Sequence, residues 1–106
     1  DAVAAFHSGI QLPIWPEQGA VKGNILVCNG ANDPMIMEAD VANFKNKLDS
    51  AGASYTYISY PDAVHGFTSP TADENGKKFG LPLAYNAAAD SASWAELRGL
   101  LERSFK

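Results

Sequence analysis

Cysteine occurs once in these 106 residues, at position 28. One thiol cannot close an internal disulfide and gives no zinc-binding pattern. It lies within "NILVCNG", where a small buried thiol is the plain reading. The lack of disulfides suits a cytoplasmic setting. Positive charge is also scarce: 8 Lys and Arg face 12 Asp and Glu, the net charge is −4, and the basic residues never cluster. Nucleic acids and anionic membranes need a basic face, so neither is an expected partner. No apolar run approaches the ~20 residues of a membrane span. Asp1 opens the chain without the basic region of a secretory leader. "NGANDP" holds a single glycine and no Gly-x-Gly-x-x-Gly spacing, which sets aside a nucleotide-binding βαβ unit. Two histidines and no cysteine cluster make no credible metal site, and no cofactor is expected.

What remains is globular. Apolar residues make up 46% and charged residues 19%, which is enough to bury a core, and the length suits one modest domain. "AVAAFHSG", residues 2–9, reads as a buried strand. Residues 10–23, with two prolines and two glycines, are too broken for a helix. "NILVCNG", residues 24–30, is a short unalternating apolar run, as in a parallel strand covered on both faces. Pro34 disfavours helical geometry at Asp33, so the next helix is expected from near Glu38. Val41, Phe44, Leu48 and Ala51 form its apolar stripe and Gly52 its stop. "SYTYISY", residues 54–60, is rich in β-branched and aromatic residues and reads as a strand. Residues 61–85 read as one long loop, and a loop of that length inside a compact domain usually has a task. A last helix is expected from about Asn86 to Ser104, with Trp94, Leu97, Leu101 and Phe105 as its apolar stripe.

Strand, helix, strand implies a parallel pair joined by a crossover. The expected fold class is therefore α/β, with about three parallel strands and two flanking helices. Two helices cover little more than one face of such a sheet. The chain thus reads as part of a larger α/β sandwich, with a bare, apolar strand edge at Ala2 to Phe6.

In open parallel sheets, ligands bind beyond the carboxyl ends of the strands. Asp33 follows the second strand, His65 follows the third, and His7 and Ser8 end the first. An acid and a histidine after neighbouring strands can meet. The carboxylate then fixes the ring's tautomer and steadies the imidazolium that forms when the other nitrogen takes a proton. Loop capping without catalysis is an equal reading of that pair from spacing alone. For His7 a structural role is the simpler reading.

Three stretches bring in a family. "VKGNILVCNGANDPMI", "YPDAVHGFTSP" and "LAYNAAADSASW" resemble the C-terminal part of the dienelactone hydrolase family, within the α/β-hydrolase fold. Gly30, Asp33 and Pro34 match the family's turn after its penultimate strand. Val64, His65, Gly66 and Phe67 match its turn after the last strand. Ala84, Tyr85, Asn86, Ala89, Asp90, Ser93 and Trp94 match the stretch opening its last helix. The resemblance covers essentially the whole chain. It implies that Asp33 is a triad acid and His65 a general base, acting on small esters or lactones without a cofactor.

One family feature has no counterpart. No Gly-x-Cys-x-Gly or Gly-x-Ser-x-Gly elbow is present to hold a nucleophile. Cys28 lies inside a strand, and Ser8 lacks a glycine two residues before it. The oxyanion hole would also come from upstream segments. Residues 1–106 are therefore expected to be the C-terminal portion of a hydrolase domain, inactive in isolation. The competing expectation is a non-catalytic module. On either reading, the bare edge is expected to pair with a second copy or with an N-terminal half. Phe67, Phe79 and Tyr85 are candidates to line the mouth of the site, with core packing the plainer role for each.

Overall fold

The computed structural model describes residues 1–105. It contains β1 (Ala2–Phe6), β2 (Asn24–Gly30), α1 (Glu38–Ser50), β3 (Ser54–Tyr60), α2 (Ala72–Phe79) and α3 (Ala87–Ser104). The strands form one parallel sheet in the order β1-β2-β3. Ala2 pairs with Asn24 and Phe6 with Cys28; Asn24 pairs with Ser54 and Gly30 with Tyr60.

β2 is the centre of the sheet, and both of its faces are covered. Leu26 and Cys28 pack with Ala63, Phe67, Ala89 and Leu100 on the α3 side. Val27 packs with Ile10, Phe44 and Leu48 on the α1 side. Burial on both faces is the reason the strand carries an unbroken apolar run instead of alternation. α1 starts at Glu38 and buries Phe44 and Leu48, with Ala51 buried at its end and Gly52 beyond it at φ 68°.

Three expectations need correction. β1 ends at Phe6, and it is not buried: Val3 and Ala4 are exposed. It is a sheet edge, and α3 packs against it.

The span 61–85 is not one loop. It contains α2, which has Asp73 and Glu74 in its first turn, Lys77 and Lys78 in its last, and Gly80 in the left-handed region at its C-cap. Those charges complement the helix dipole. Gly76 in the middle hides the helix from propensity. It is needed there because a Cβ would sit 2.7 Å from the Leu83 carbonyl oxygen and 3.1 Å from that of Leu81.

The third correction concerns α3. Its start is as expected, with the Asn86 side chain accepting from the Ala89 N–H at 3.0 Å. The buried face, however, is Ala89, Ser93 and Leu100, with Leu97 partly buried beside them. Trp94, Leu101 and Phe105 are exposed, and Phe105 lies past the helix end. Small residues at 89 and 93 let the helix lie close on the sheet, whereas the large apolar residues flank that contact. Trp94 lies against Phe6 of β1 with ring centroids 5.6 Å apart.

Candidate active site

The carboxyl ends of all three strands meet at one rim. β2 stops at Gly30, where the backbone at Ala63 and Val64 crosses over it. A Cβ on Gly30 would stand 2.3 Å from the Ala63 carbonyl oxygen. Only glycine admits so close a crossing. The two segments are also tied directly: the Asn32 N–H donates to Ala63 O at 2.9 Å, and the Ala31 N–H to Tyr60 O at 2.8 Å. The turn after β2 and the turn after β3 are thus one hydrogen-bonded unit. Asp33 stands on the first and His65 on the second.

The Asp33 side chain is fully buried and the His65 side chain is 28% exposed. Asp33 Oδ2 accepts from His65 Nδ1 at 2.9 Å, and Oδ1 accepts the Met35 N–H at 2.8 Å. Each carboxylate oxygen therefore has a donor, which is what makes a buried carboxylate tolerable. A carboxylate can only accept, so the proton of the neutral imidazole is on Nδ1. That leaves Nε2 as the nitrogen that can take a proton.

The loop bearing His65 is anchored beyond it. Gly66 takes φ 75°, Phe67 is fully buried, and the Asn86 N–H donates to Phe67 O at 3.0 Å. His65 itself forms a parallel bridge with Leu83, and the Ala84 N–H donates to its carbonyl at 3.2 Å. His65 is thereby held from β3 on one side and from the α2–α3 segment on the other.

β1 contributes more to this rim than its sequence indicated. The His7 ring stands edge-on to His65 with centroids 5.6 Å apart, and edge-on to Phe67 at 5.3 Å. His7 Nε2 and Thr68 Oγ1 share a hydrogen bond of 2.9 Å. Burial first, and the neighbouring His65 second, hold the His7 pKa below its ordinary value, so the ring is neutral at neutral pH. Asn29 is the other unforeseen participant. It is buried at the end of β2, accepts the Ser8 N–H at 2.9 Å, and donates to Ser8 O at 3.1 Å and to the Tyr57 hydroxyl at 3.0 Å. A polar residue closing an apolar strand was the available signal for it.

Neither alternative nucleophile is prepared for attack. Cys28 has no exposed surface, and burial pushes its thiol up in pKa; the Tyr60 hydroxyl lies 3.9 Å from its sulfur. The Ser8 hydroxyl donates to the Gly9 carbonyl at 3.3 Å. Of the aromatic residues considered for the mouth, Phe67 is core and Phe79 is exposed on α2. Tyr85 ties α2 to α3, its N–H donating to Asp73 at 3.0 Å and its hydroxyl to Asp90 at 2.6 Å. Among the described residues, no three histidine, cysteine or carboxylate side chains converge as a metal site requires. Among the described residues, too, no helix is long and apolar enough to cross a membrane.

Known proteins share this fold. The profile of the dienelactone hydrolase family matches residues 1–105. Two solved structures superpose on nearly all of the chain. A dienelactone hydrolase-like promiscuous phosphotriesterase from metagenomic libraries has a TM-score of 0.81 at 28% identity, with 99% of this chain and 43% of that one covered. A protein designated m3DLH has a TM-score of 0.86 at 32% identity, with 99% and 42% covered. Among curated proteins, dipeptidyl aminopeptidase BIII of Pseudoxanthomonas mexicana is 34% identical over 59 residues, which is 56% of this chain and 8% of that one. The chain thus spans less than half the length of these solved structures and a small part of the curated relative.

Proposed function

Because this chain belongs to the dienelactone hydrolase family, we propose that it supplies the acid and the base of a nucleophile–histidine–acid triad in a hydrolase of small ester or lactone bonds. The observation that carries the reading is the 2.9 Å contact from His65 Nδ1 to a fully buried Asp33 carboxylate at the carboxyl rim of the sheet. Asp33 orients the ring and stabilises the imidazolium. His65 Nε2 takes the proton of the attacking nucleophile and returns it to the leaving alkoxide. Water then enters, gives a proton to Nε2 and adds to the acyl carbonyl; the bond to the nucleophile breaks, the nucleophile recovers that proton from Nε2, and the acid is released. The family's structural relatives are more than twice as long as this chain, which leaves room in the whole protein for an elbow and an oxyanion hole.

The nucleophile is proposed to come from a segment adjoining β1. That strand has an open edge and leaves Val3 59% exposed, and a neighbouring strand would satisfy both. The reading frame upstream of the Asp1 codon tests the proposal. Continuation through a Gly-x-Cys-x-Gly or Gly-x-Ser-x-Gly turn is expected. A stop codon followed by a start at this boundary would favour the second reading, a non-catalytic module that assembles through the β1 edge.

A further inference from the structure

Among the described residues, His7 is one of two non-glycine residues with positive φ, at 39°. Glycine would hold that backbone without strain, and asparagine with less than most side chains. The chain keeps an imidazole there. Its backbone is pinned from several directions: the His7 N–H donates to Cys28 O at 2.8 Å, and the next residue is clamped by two hydrogen bonds to Asn29. A strained residue held this firmly points to a role for its side chain.

That side chain touches the base and its loop at three places. It meets the His65 ring at 5.6 Å, the Phe67 ring at 5.3 Å, and the Thr68 hydroxyl at 2.9 Å. The hydrogen bond to Asp33 fixes only one end of the His65 imidazole. The ring can still swing about that bond and carry Nε2 away from its target. A second restraint, off that axis, is needed to aim it. The nearly perpendicular His7 ring, with an interplanar angle of 69°, supplies it at the ring itself. The Thr68 bond supplies it to the loop beyond Gly66.

We propose that His7 is a positioning residue for His65, fixing the direction of its Nε2 through edge contact with the ring and a hydrogen bond to Thr68. The proposal rests on His65 being the triad base. Neutrality of His7 suits the role, since a second imidazolium here would repel the one that forms on His65.

The chain has only two histidines, so imidazole nitrogen–proton spectra of the histidine-labelled 106-residue chain resolve each ring. At neutral pH the unsubstituted chain is expected to show a strongly downfield proton from His65 Nδ1, lost in Asp33→Asn. Thr68→Val removes the loop's bond to His7 without touching His65 or Asp33. It is expected to broaden that resonance or shift it upfield, while the backbone amide spectrum away from the rim stays in place. Thr68→Ser is expected to restore it. His7→Phe keeps an aromatic edge but loses the bond, and is expected to act as Thr68→Val does; should it unfold, Thr68→Val carries the test alone. A His65 proton unchanged in position and width in Thr68→Val overturns the proposal and leaves the triad reading standing. Absence of the proton in the unsubstituted chain overturns both.

Discussion

Asp33 and His65 meet at 2.9 Å although 32 residues separate them, because the turn after β3 crosses directly over Gly30, the last residue of β2. The contact between the two side chains is thus a consequence of a backbone crossing. Its geometry is set before either side chain is considered.

Gly30→Ala tests that dependence. The new methyl would lie 2.3 Å from the Ala63 carbonyl, a backbone atom that can yield only by moving the His65 turn. A loss of roughly 1–3 kcal/mol is expected from overpacking alone. The urea midpoint should fall with an unchanged slope, and the downfield His65 proton should disappear with it. Wild-type stability in this variant would mean that the crossing is looser than the structure has it.

Cys28 is expected to be inert in the folded chain. It has no exposed surface, burial raises its pKa, and the thiolate is the reactive form. A thiol reagent at neutral pH should label it only as fast as the chain opens, and at once in denaturant. Rapid stoichiometric labelling of the native chain would contradict its place in the core and reopen it as a nucleophile.

His7 gives a pH signature of defined sign. Its folded pKa is depressed from 6.5, so the unfolded chain binds the proton more readily than the folded one. The stability linked to His7 is fully present above about 6.5 and is lost as pH falls toward the folded value. Unfolding midpoints measured on either side of that range should differ more in the unsubstituted chain than in His7→Gln. The difference between the two proteins isolates His7 from other groups that titrate in the same window. An equal acid dependence would place His7 in a wetter setting than the structure gives it.

The β1 edge should make the isolated chain associate. Among the described residues, no strand pairs with its outer side, and Val3 and Trp94 are each at least half exposed. Equilibrium sedimentation at tens of micromolar is expected to show self-association. A stable monomer would show that the edge is protected.

Much of the architecture was legible because local pattern and tertiary setting agreed. The unbroken run at Ile25–Cys28 marked a doubly covered strand, and Phe44 with Leu48 marked the inward face of α1. The meeting of Asp33 and His65 was legible because both follow neighbouring parallel strands. The failures have physical causes. α2 was hidden by Gly76, whose value lies in a contact with Leu81 and Leu83 that no local pattern encodes. The inward face of α3 was misread because close helix–sheet packing selected Ala89 and Ser93 over Trp94 and Leu101. His7 and Asn29 act across strands, and sequence neighbours do not reveal a partner 21 or 61 residues away.

The most direct test is turnover of an activated ester by the 106-residue chain, alone and joined to a segment bearing a Gly-x-Cys-x-Gly or Gly-x-Ser-x-Gly elbow. Alone, it should not exceed the buffer rate. Joined, it should turn over, and both His65→Ala and Asp33→Asn should reduce kcat by roughly 10³–10⁴-fold. Turnover by the chain alone that His65→Ala abolishes would contradict a nucleophile supplied from outside these residues. Turnover of the joined protein that survives both substitutions would contradict the assignment of Asp33 and His65 as its acid and base.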